Sequence, residues 1–158
     1  MPAYRVRAAT LDDAAVLVRQ RIGMFTDMHV PLDAAALGAA FREWLAQTMP
    51  AGAYRAWLVD DDDGVIGGGG ITILPWPPGP RYPRYPGDRL AFVYNVYTEP
   101  PHRHRGVARL VMDAIHTWCR ENRVGSVALN ASPLGQTLYA SLGYRVSPNP
   151  MMFLQLEL

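Results

Sequence analysis

From Leu90 to Asn130 the chain reads as an apolar run, an arginine-rich turn, an amphipathic stretch and a second apolar run. No other feature restricts its fold as strongly. Leu90 to Thr98 has the length and apolar content of a buried strand. From Gly106 to Asn122, Val107, Leu110, Val111, Ala114, Ile115 and Trp118 recur at i, i+3, i+4, i+7, i+8 and i+11, one face of a helix. Val127 to Asn130 is a short strand. Strand, helix and strand so close together form a βαβ unit, whose two strands are expected to be parallel.

The flanks fit around that unit. Tyr4 to Ala8 is a short strand, and Thr10 with Asp13 three residues on marks a helix start. Leu11, Ala15, Val18, Ile22 and Phe25 then fall on one face. Asp33 is placed to cap a second helix carrying Leu37, Ala40, Phe41, Trp44 and Leu45, which Pro50 and Gly52 stop. Tyr54 to Val59 and Val65 to Leu74 read as strands joined by the acidic turn Asp60 to Gly64, which lacks the Asx spacing and distal Glu of a calcium loop. No helix with Lys or Ser/Thr follows Gly67 to Gly70, so these are small residues beneath a packed helix, or a bulge, and not a phosphate loop. Residues 75–89 hold six prolines and form a loop. Ser132 and Pro133 are expected to open a last helix that Gly143 ends. Tyr144 to Val146 and Met151 to Leu158 are expected as closing strands, with Met151, Met152, Phe153 and Leu154 buried. The predicted order is β-α-α-β-β-β-α-β-α-β-β. It describes an α/β (α+β) fold, a central mixed sheet with helices on both faces, in a single domain over residues 1–158.

Composition narrows the function. Fifteen arginines against 14 acidic residues leave a net charge of +1, so nothing points to nucleic acid. Lysine is absent, which removes Schiff-base chemistry. Cys119 is the single cysteine, so a disulfide framework and a Cys-based zinc cluster are excluded, and no metal is expected. No run approaches the ~20 apolar residues of a membrane span, and MPAYRVRAAT lacks the apolar core of a signal peptide. A soluble, cytoplasmic protein with no membrane partner is expected.

The chemistry gathers at Arg103-His104-Arg105-Gly106-Val107-Ala108, between strand and helix. Gly106 permits a tight turn and close approach of a ligand. The first helical amides and the helix dipole favour an anion, and Arg103, Arg105 and Arg109 add charge. Neither a Walker loop nor a three-glycine Rossmann fingerprint is present. The natural guest is a phosphate or pyrophosphate.

Asn95 to Pro100 leads into this loop, Leu129-Asn130-Ala131-Ser132 ends the next strand, and Leu138-Tyr139-Ala140-Ser141-Leu142-Gly143-Tyr144 follows. This ordered set resembles the GCN5-related N-acetyltransferase (GNAT) superfamily. The family's Q/R-x-x-G-x-G/A signature is matched by Arg103 to Ala108, and LYASLGY is similar to its L-Y-x-x-L-G-F segment. The resemblance implies acetyl-CoA as cosubstrate, with the amides of Arg103 to Ala108 on the pyrophosphate. It places the backbone of Val96 and Tyr97 along the pantetheine arm and Asn130 beside its channel. Tyr139 would face the thioester sulfur and protonate the leaving thiolate; its alternative is packing beneath the last strand. Glu99 is the first choice of base for the acceptor amine, with His102 and His104 as alternatives by type and His29 a loop histidine. Cys119 offers no covalent route, so direct transfer in a ternary complex is expected.

In the family the junction of the first two helices lines the acceptor cleft. Here it holds Met24, Phe25, Asp27 and Met28, an apolar wall with Asp27 as an anchor for the amine. The proline loop, with Trp76, Tyr82, Tyr85, Arg81, Arg84 and Arg89, is either a lid over the acceptor or an inert excursion. The implied function is N-acetylation of a primary amine on a small molecule or peptide. The alternative is a non-catalytic acyl-CoA-binding or regulatory module. The family often forms homodimers, and one is expected here.

Overall fold

The computed structural model describes residues 3–84 and 87–157. Five strands form one sheet in the order β1-β2-β3-β4-β5: β1 (Arg5–Ala8), β2 (Tyr54–Asp61), β3 (Gly64–Pro75), β4 (Arg89–Thr98) and β5 (Ser126–Leu129). Neighbours are antiparallel except β4 and β5, which run parallel as the βαβ pattern requires. The helices are α1 (Ala14–Asp27), α2 (Ala34–Thr48), α3 (Val107–Glu121) and α4 (Gln136–Ser141).

Each face of the sheet has its own core. Val107, Val111, Met112, Ile115 and Cys119 of α3 pack on Trp57, Val59, Ile71, Ala91 and Val93. Leu17 and Val18 of α1, with Phe41 and Leu45 of α2, pack on Tyr54, Ala56 and Leu58 of β2. The glycines of β3 make this double packing possible. A Cβ on Gly67 would lie 2.6 Å from Val107, and one on Gly69 would lie 2.9 Å from Val111, so these two admit α3. On the other face a Cβ on Gly68 would lie 2.7 Å from Gln20, and one on Gly70 2.3 Å from the Tyr54 hydroxyl. The run is therefore a strand stripped of side chains between two helical layers, as its sequence context implied.

Local signals hold at most boundaries. Asp33 accepts from the Ala36 amide at 2.9 Å and caps α2. A 3-10 turn over Leu11–Asp13 precedes α1, and Asp13 accepts from the Thr10 amide at 2.8 Å. Two expectations fail. The last helix begins at Gln136 and not at Ser132, because Ser132 to Gly135 closes a hydrogen-bonded turn, Gly135 N–H to Ser132 O at 2.9 Å. Ser, Pro and Gly at its first, second and fourth places are type I turn chemistry. The closing strands are also not formed. Residues 144–157 carry no strand, and Val146, Met152 and Phe153 are 96%, 91% and 79% exposed. Alternating apolar residues suit a strand only where an edge receives them. Here Pro148 and Pro150 lack amide donors, and Ser147 bonds locally to Asn149. Leu158, the end of the second expected strand, lies outside the described residues.

Gly70→Ala should lower stability by about 1–3 kcal/mol, the range for overpacking a filled site. Gly125→Ala, where a Cβ meets nothing within 4 Å, should stay within about 0.5 kcal/mol of wild type. Urea denaturation of both variants checks this. Equal stability of the two would show that Tyr54 does not need the space at Gly70.

Candidate active site

β4 carries one extra residue opposite β3. Gly68 pairs with Tyr97 and Gly70 with Tyr94, so two steps on β3 span three on β4. Asn95 sits in this bulge with φ +60°, a left-handed conformation that Asn tolerates better than most residues. The bulge places Tyr94 and Asn95 on the same side of the sheet, toward α1 and α2, and returns Val96 to the α3 side. Asn95 is buried. Its amide nitrogen donates to the Tyr54 hydroxyl at 3.0 Å, and its oxygen accepts from Arg21 Nη1 at 2.6 Å. Burial pushes the Tyr54 phenol up to about 12.

The parallel pairing of β4 with β5 stops at Val93 and Leu129. Beyond it, no strand among the described residues pairs with the β5-facing edge of β4 from Tyr94 to Thr98. Asn130, directly after β5, is exposed at the mouth of this opening. α3 starts at the same end. Gly106 is its N-cap with φ +82°, and a Cβ there meets nothing within 4 Å. The first intrahelical bond is Leu110 N–H to Gly106 O at 3.1 Å, which leaves the amides of Val107, Ala108 and Arg109 ahead of the ladder. His104 is also left-handed, at φ +59°, and His104 and Arg105 are exposed. An open glycine, unbonded amides and an exposed arginine fit an anionic group approaching the helix end.

α4 presents Tyr139 toward α3. The helix closes at Gly143, φ +92°, with Gly143 N–H to Ala140 O at 3.0 Å and Tyr144 N–H to Tyr139 O at 3.0 Å. These are the two bonds of a Schellman end, and the Tyr139 and Tyr144 rings make its apolar contact, edge to face at 5.8 Å. Tyr144 in turn is 2.8 Å from His116 Nε2 on α3. The LYASLGY motif is thus a helix stop that holds the Tyr139 ring. Burial raises the Tyr139 phenol above its usual range, and its hydroxyl makes no hydrogen bond among the described residues. Arg109 donates to Ser141 Oγ at 2.6 Å and ties α3 to α4.

On the opposite side, Arg19, Gly23 and Asp27 form one stripe of α1 facing the end of β4. Arg19 pairs with Glu99 at 3.0 Å, and Asp27 pairs with Arg103. A Cβ on Gly23 would lie 2.9 Å from the Tyr97 ring, so the glycine seats that ring. Burial, with Glu99 and Asp27 nearby, raises the Tyr97 phenol. Asp27 and Arg103 were expected in different subsites, the acceptor cleft and the pyrophosphate loop. The structure joins them. Arg103 also donates from Nε to the Thr98 carbonyl at 3.0 Å, so its guanidinium faces α1 and not the first turn of α3. His102 lies 3.6 Å from the buried Asp61, turned toward the acidic hairpin. His29 is exposed and left-handed after α1, where Met28 is 48% exposed.

A cavity of about 410 Å³ lies between α1, α2 and the middle of β3 and β4, with Arg21, Phe41, Trp44, Thr72, Tyr94 and Asn95 in its wall. Phe25 lies beneath the Arg21 guanidinium rather than in the core. A wider depression, about 840 Å³, lies along Arg5 to Arg7 and the Asp60 to Gly64 hairpin, and shares no lining residue with the first. Sequence reasoning missed Arg21 and Asn95. The available signals were a charge at i+3 from Val18 and i−4 from Phe25, inside the apolar stripe of α1, and an amide inside an apolar strand.

The proline loop leaves the sheet at Pro75 and returns at Arg89, the end of β4 opposite Thr98. Arg89, expected among the residues of a lid, donates to the Asn122 carbonyl beyond α3 at 2.6 Å. Trp76 N–H bonds the Asp88 carbonyl at 2.7 Å and closes the loop's base; Tyr85 lies outside the described residues. Cys119 is buried, and burial raises its thiol. Among the described residues no three His, Cys, Asp or Glu side chains gather to hold a metal, and no helix is long and apolar enough to cross a membrane.

Comparison with known proteins agrees with this arrangement. The sequence profile of the acetyltransferase (GNAT) family matches residues 23–144. A GCN5-related N-acetyltransferase from Ralstonia eutropha JMP134 superposes with a TM-score of 0.83 at 28% identity, covering 96% of this chain and 99% of that one. A predicted acetyltransferase from Clostridium acetobutylicum, solved with acetyl-CoA, gives 0.82 at 21% identity over 98% and 96%. A ribosomal-protein-alanine N-acetyltransferase from Brucella melitensis biovar Abortus 2308 gives 0.73 at 18% identity over 98% and 100%. The search of curated proteins found no match. The fold supports acetyl-CoA-dependent acetyl transfer, and the chain belongs to the GNAT acetyltransferase family.

Proposed function

We propose that the protein N-acetylates a primary amine by direct transfer from acetyl-CoA in a ternary complex. The observation that carries this reading is the opening between β4 and β5 beyond Val93 and Leu129, with the free first turn of α3 at its mouth. Acetyl-CoA would supply an acyl group activated as a thioester. The amides from His104 to Ala108, open at Gly106, are suited to its pyrophosphate, with Arg105 adding charge. The unpaired edge of β4 at Val96 and Tyr97 is suited to the pantetheine arm as an added strand, with Asn130 across from it. The Val96 amide would polarise the thioester carbonyl.

The acceptor nitrogen bonds to the acyl carbon, the carbon–sulfur bond breaks, and the amine loses one proton. Tyr139 keeps its proton because burial raises its phenol, so it can donate to the departing sulfur. Glu99 takes the amine's proton. Arg19 occupies its Oε1, and Oε2 makes no hydrogen bond among the described residues. Met24, Phe25 and Met28 would flank the acceptor's entry, and Asp27 would act by holding Arg103 rather than by touching the amine. A two-fold homodimer belongs to this reading, since Met151, Met152, Phe153 and Leu154 expose an apolar surface for a second copy to cover.

Acetyl-CoA should raise the melting temperature, because a ligand at ~100 times its Kd stabilises the folded state by about 2.7 kcal/mol. Gly106→Asp should lose that shift, since it puts a charge and a strained left-handed side chain where the anion approaches. An undiminished shift in the variant would move the anion site elsewhere. Thiol release with an amine panel tests turnover; binding with no turnover would favour the non-catalytic module. Tyr139→Phe should lower kcat, by ~10²-fold or less, the low end for general acid catalysis, and leave CoA affinity nearly intact. Wild-type turnover would remove Tyr139 from the mechanism. Sedimentation at micromolar concentration should give the dimer mass, and a monomer would reject the homodimer.

A further inference from the structure

Arg21 is the anomaly of the α1 and α2 face. Among the described residues, Arg7 pairs with Asp13 and Asp60, Arg19 with Glu99 and Arg103 with Asp27. Arg21 is half-buried and pairs with no carboxylate among the described residues. Its guanidinium lies between the rings of Phe25 and Phe41, 4.9 Å from each centroid. One of its five donors is engaged, Nη1 to Asn95 Oδ1 at 2.6 Å, and Nε is buried without a partner. Among the described residues the titratable groups beside it are the phenols of Tyr54 and Tyr94, not carboxylates.

A half-buried cation without a counter-ion is costly, and a methionine would fill the same slot between two rings without that cost. The position therefore answers to something outside the chain. Apart from Arg21, Thr72 and Asn95, the cavity is lined by apolar and aromatic side chains, Leu37, Phe41, Trp44 and Tyr94 among them. It also contains Asn95, the residue just before Val96, so it adjoins the point of transfer from the side opposite α3. One cation matches one negative charge. A phosphate dianion would leave an uncompensated charge against the rings, whereas a carboxylate fits the planar guanidinium fork.

We propose that this cavity is the acceptor site, that Arg21 anchors a single carboxylate there, and that the acceptor is an amine with one carboxylate and an apolar body, the class of the apolar amino acids. The proposal rests on the acetyl-transfer reading above and adds the substrate class.

The test is thiol release from acetyl-CoA with matched pairs: leucine, methionine and phenylalanine, each as free acid and as carboxamide, with an aminoalkyl phosphate as a third arm. A charge-assisted hydrogen bond predicts that the acids exceed the amides by about 10- to 100-fold in kcat/KM. In Arg21→Met that ratio should fall toward one, and Arg21→Lys should recover part of it. The wild-type comparison stands even where a variant folds poorly. Equal use of acid and amide, or preference for the phosphate or for amines without an anion, overturns the Arg21 assignment while leaving acetyl transfer intact. If no amine is acetylated, the transfer reading fails separately. Calorimetric titration of the same acids and amides into the CoA-saturated protein then decides, because acid-selective binding lost in Arg21→Met supports the site and its absence overturns it.

Discussion

The bulge at Asn95 is the local distortion on which the rest of the site depends. In a regular strand, Asn95 would follow Val93 onto the α3 side, where a buried amide would have no partner. The extra residue turns it toward Tyr54 and Arg21, and both of its polar ends are satisfied. The same distortion comes directly after the last pair that β4 shares with β5. One left-handed residue therefore opens the sheet on one side and sets a polar bridge on the other. A regular strand can do neither, because its alternation and pairing are uniform.

The helical layers come close enough to use that opening because β3 has almost no side chains where they press. Gly67 and Gly69 receive α3, whose N-terminus points to the end of β4. Gly68 and Gly70 receive Gln20 and Tyr54 from the other face. Gly23 does the same for α1 over Tyr97. Close approach is worth having here, since helix-end amides act over short distances and the dipole's influence fades within a turn. Tyr139 is held by a different device. The Schellman closure at Gly143 fixes the end of α4, and Tyr144 both packs on Tyr139 and reaches His116. The ring is held by packing at the end of α4 and against α3, while its hydroxyl has no hydrogen-bond partner among the described residues.

Charge is distributed with the same economy. Arg19, Glu99, Asp27 and Arg103 tie α1 to the end of β4, beside the Tyr97 ring seated on Gly23. Exposed pairs of this kind add little stability individually. Their effect is positional: they fix which face of α1 meets β4, and so leave Arg21, one stripe over, directed at the cavity wall. Arg21 stands apart because, among the described residues, it is the arginine that is neither exposed nor paired with an acid, and its surroundings are rings and an amide.

Periodicity and turn chemistry are local, and they were legible without coordinates. The amphipathic run from Val107, the Asp33 cap, the acidic hairpin and the parallel βαβ pair all rest on spacing that backbone geometry reads directly, and so did the arginine-glycine turn at the start of α3. Three things were not legible. The register shift at Asn95 depends on which strand lies beside β4, and a lone Asn in an apolar run does not announce it. The partners of Asp27 and Arg103 lie 76 positions apart in sequence, so chain order assigned them to separate subsites until folding brought them together. The apolar segment after Gly143 has the alternation of a strand, but a strand exists only by pairing, and the sheet does not receive it. The sequence by itself determined most of the helices and strands and the arginine-glycine turn that starts α3, because these rest on local spacing. Tertiary structure alone decided which charges meet, which strand bends and which arginine is buried between rings, because these depend on contacts between residues far apart in the chain.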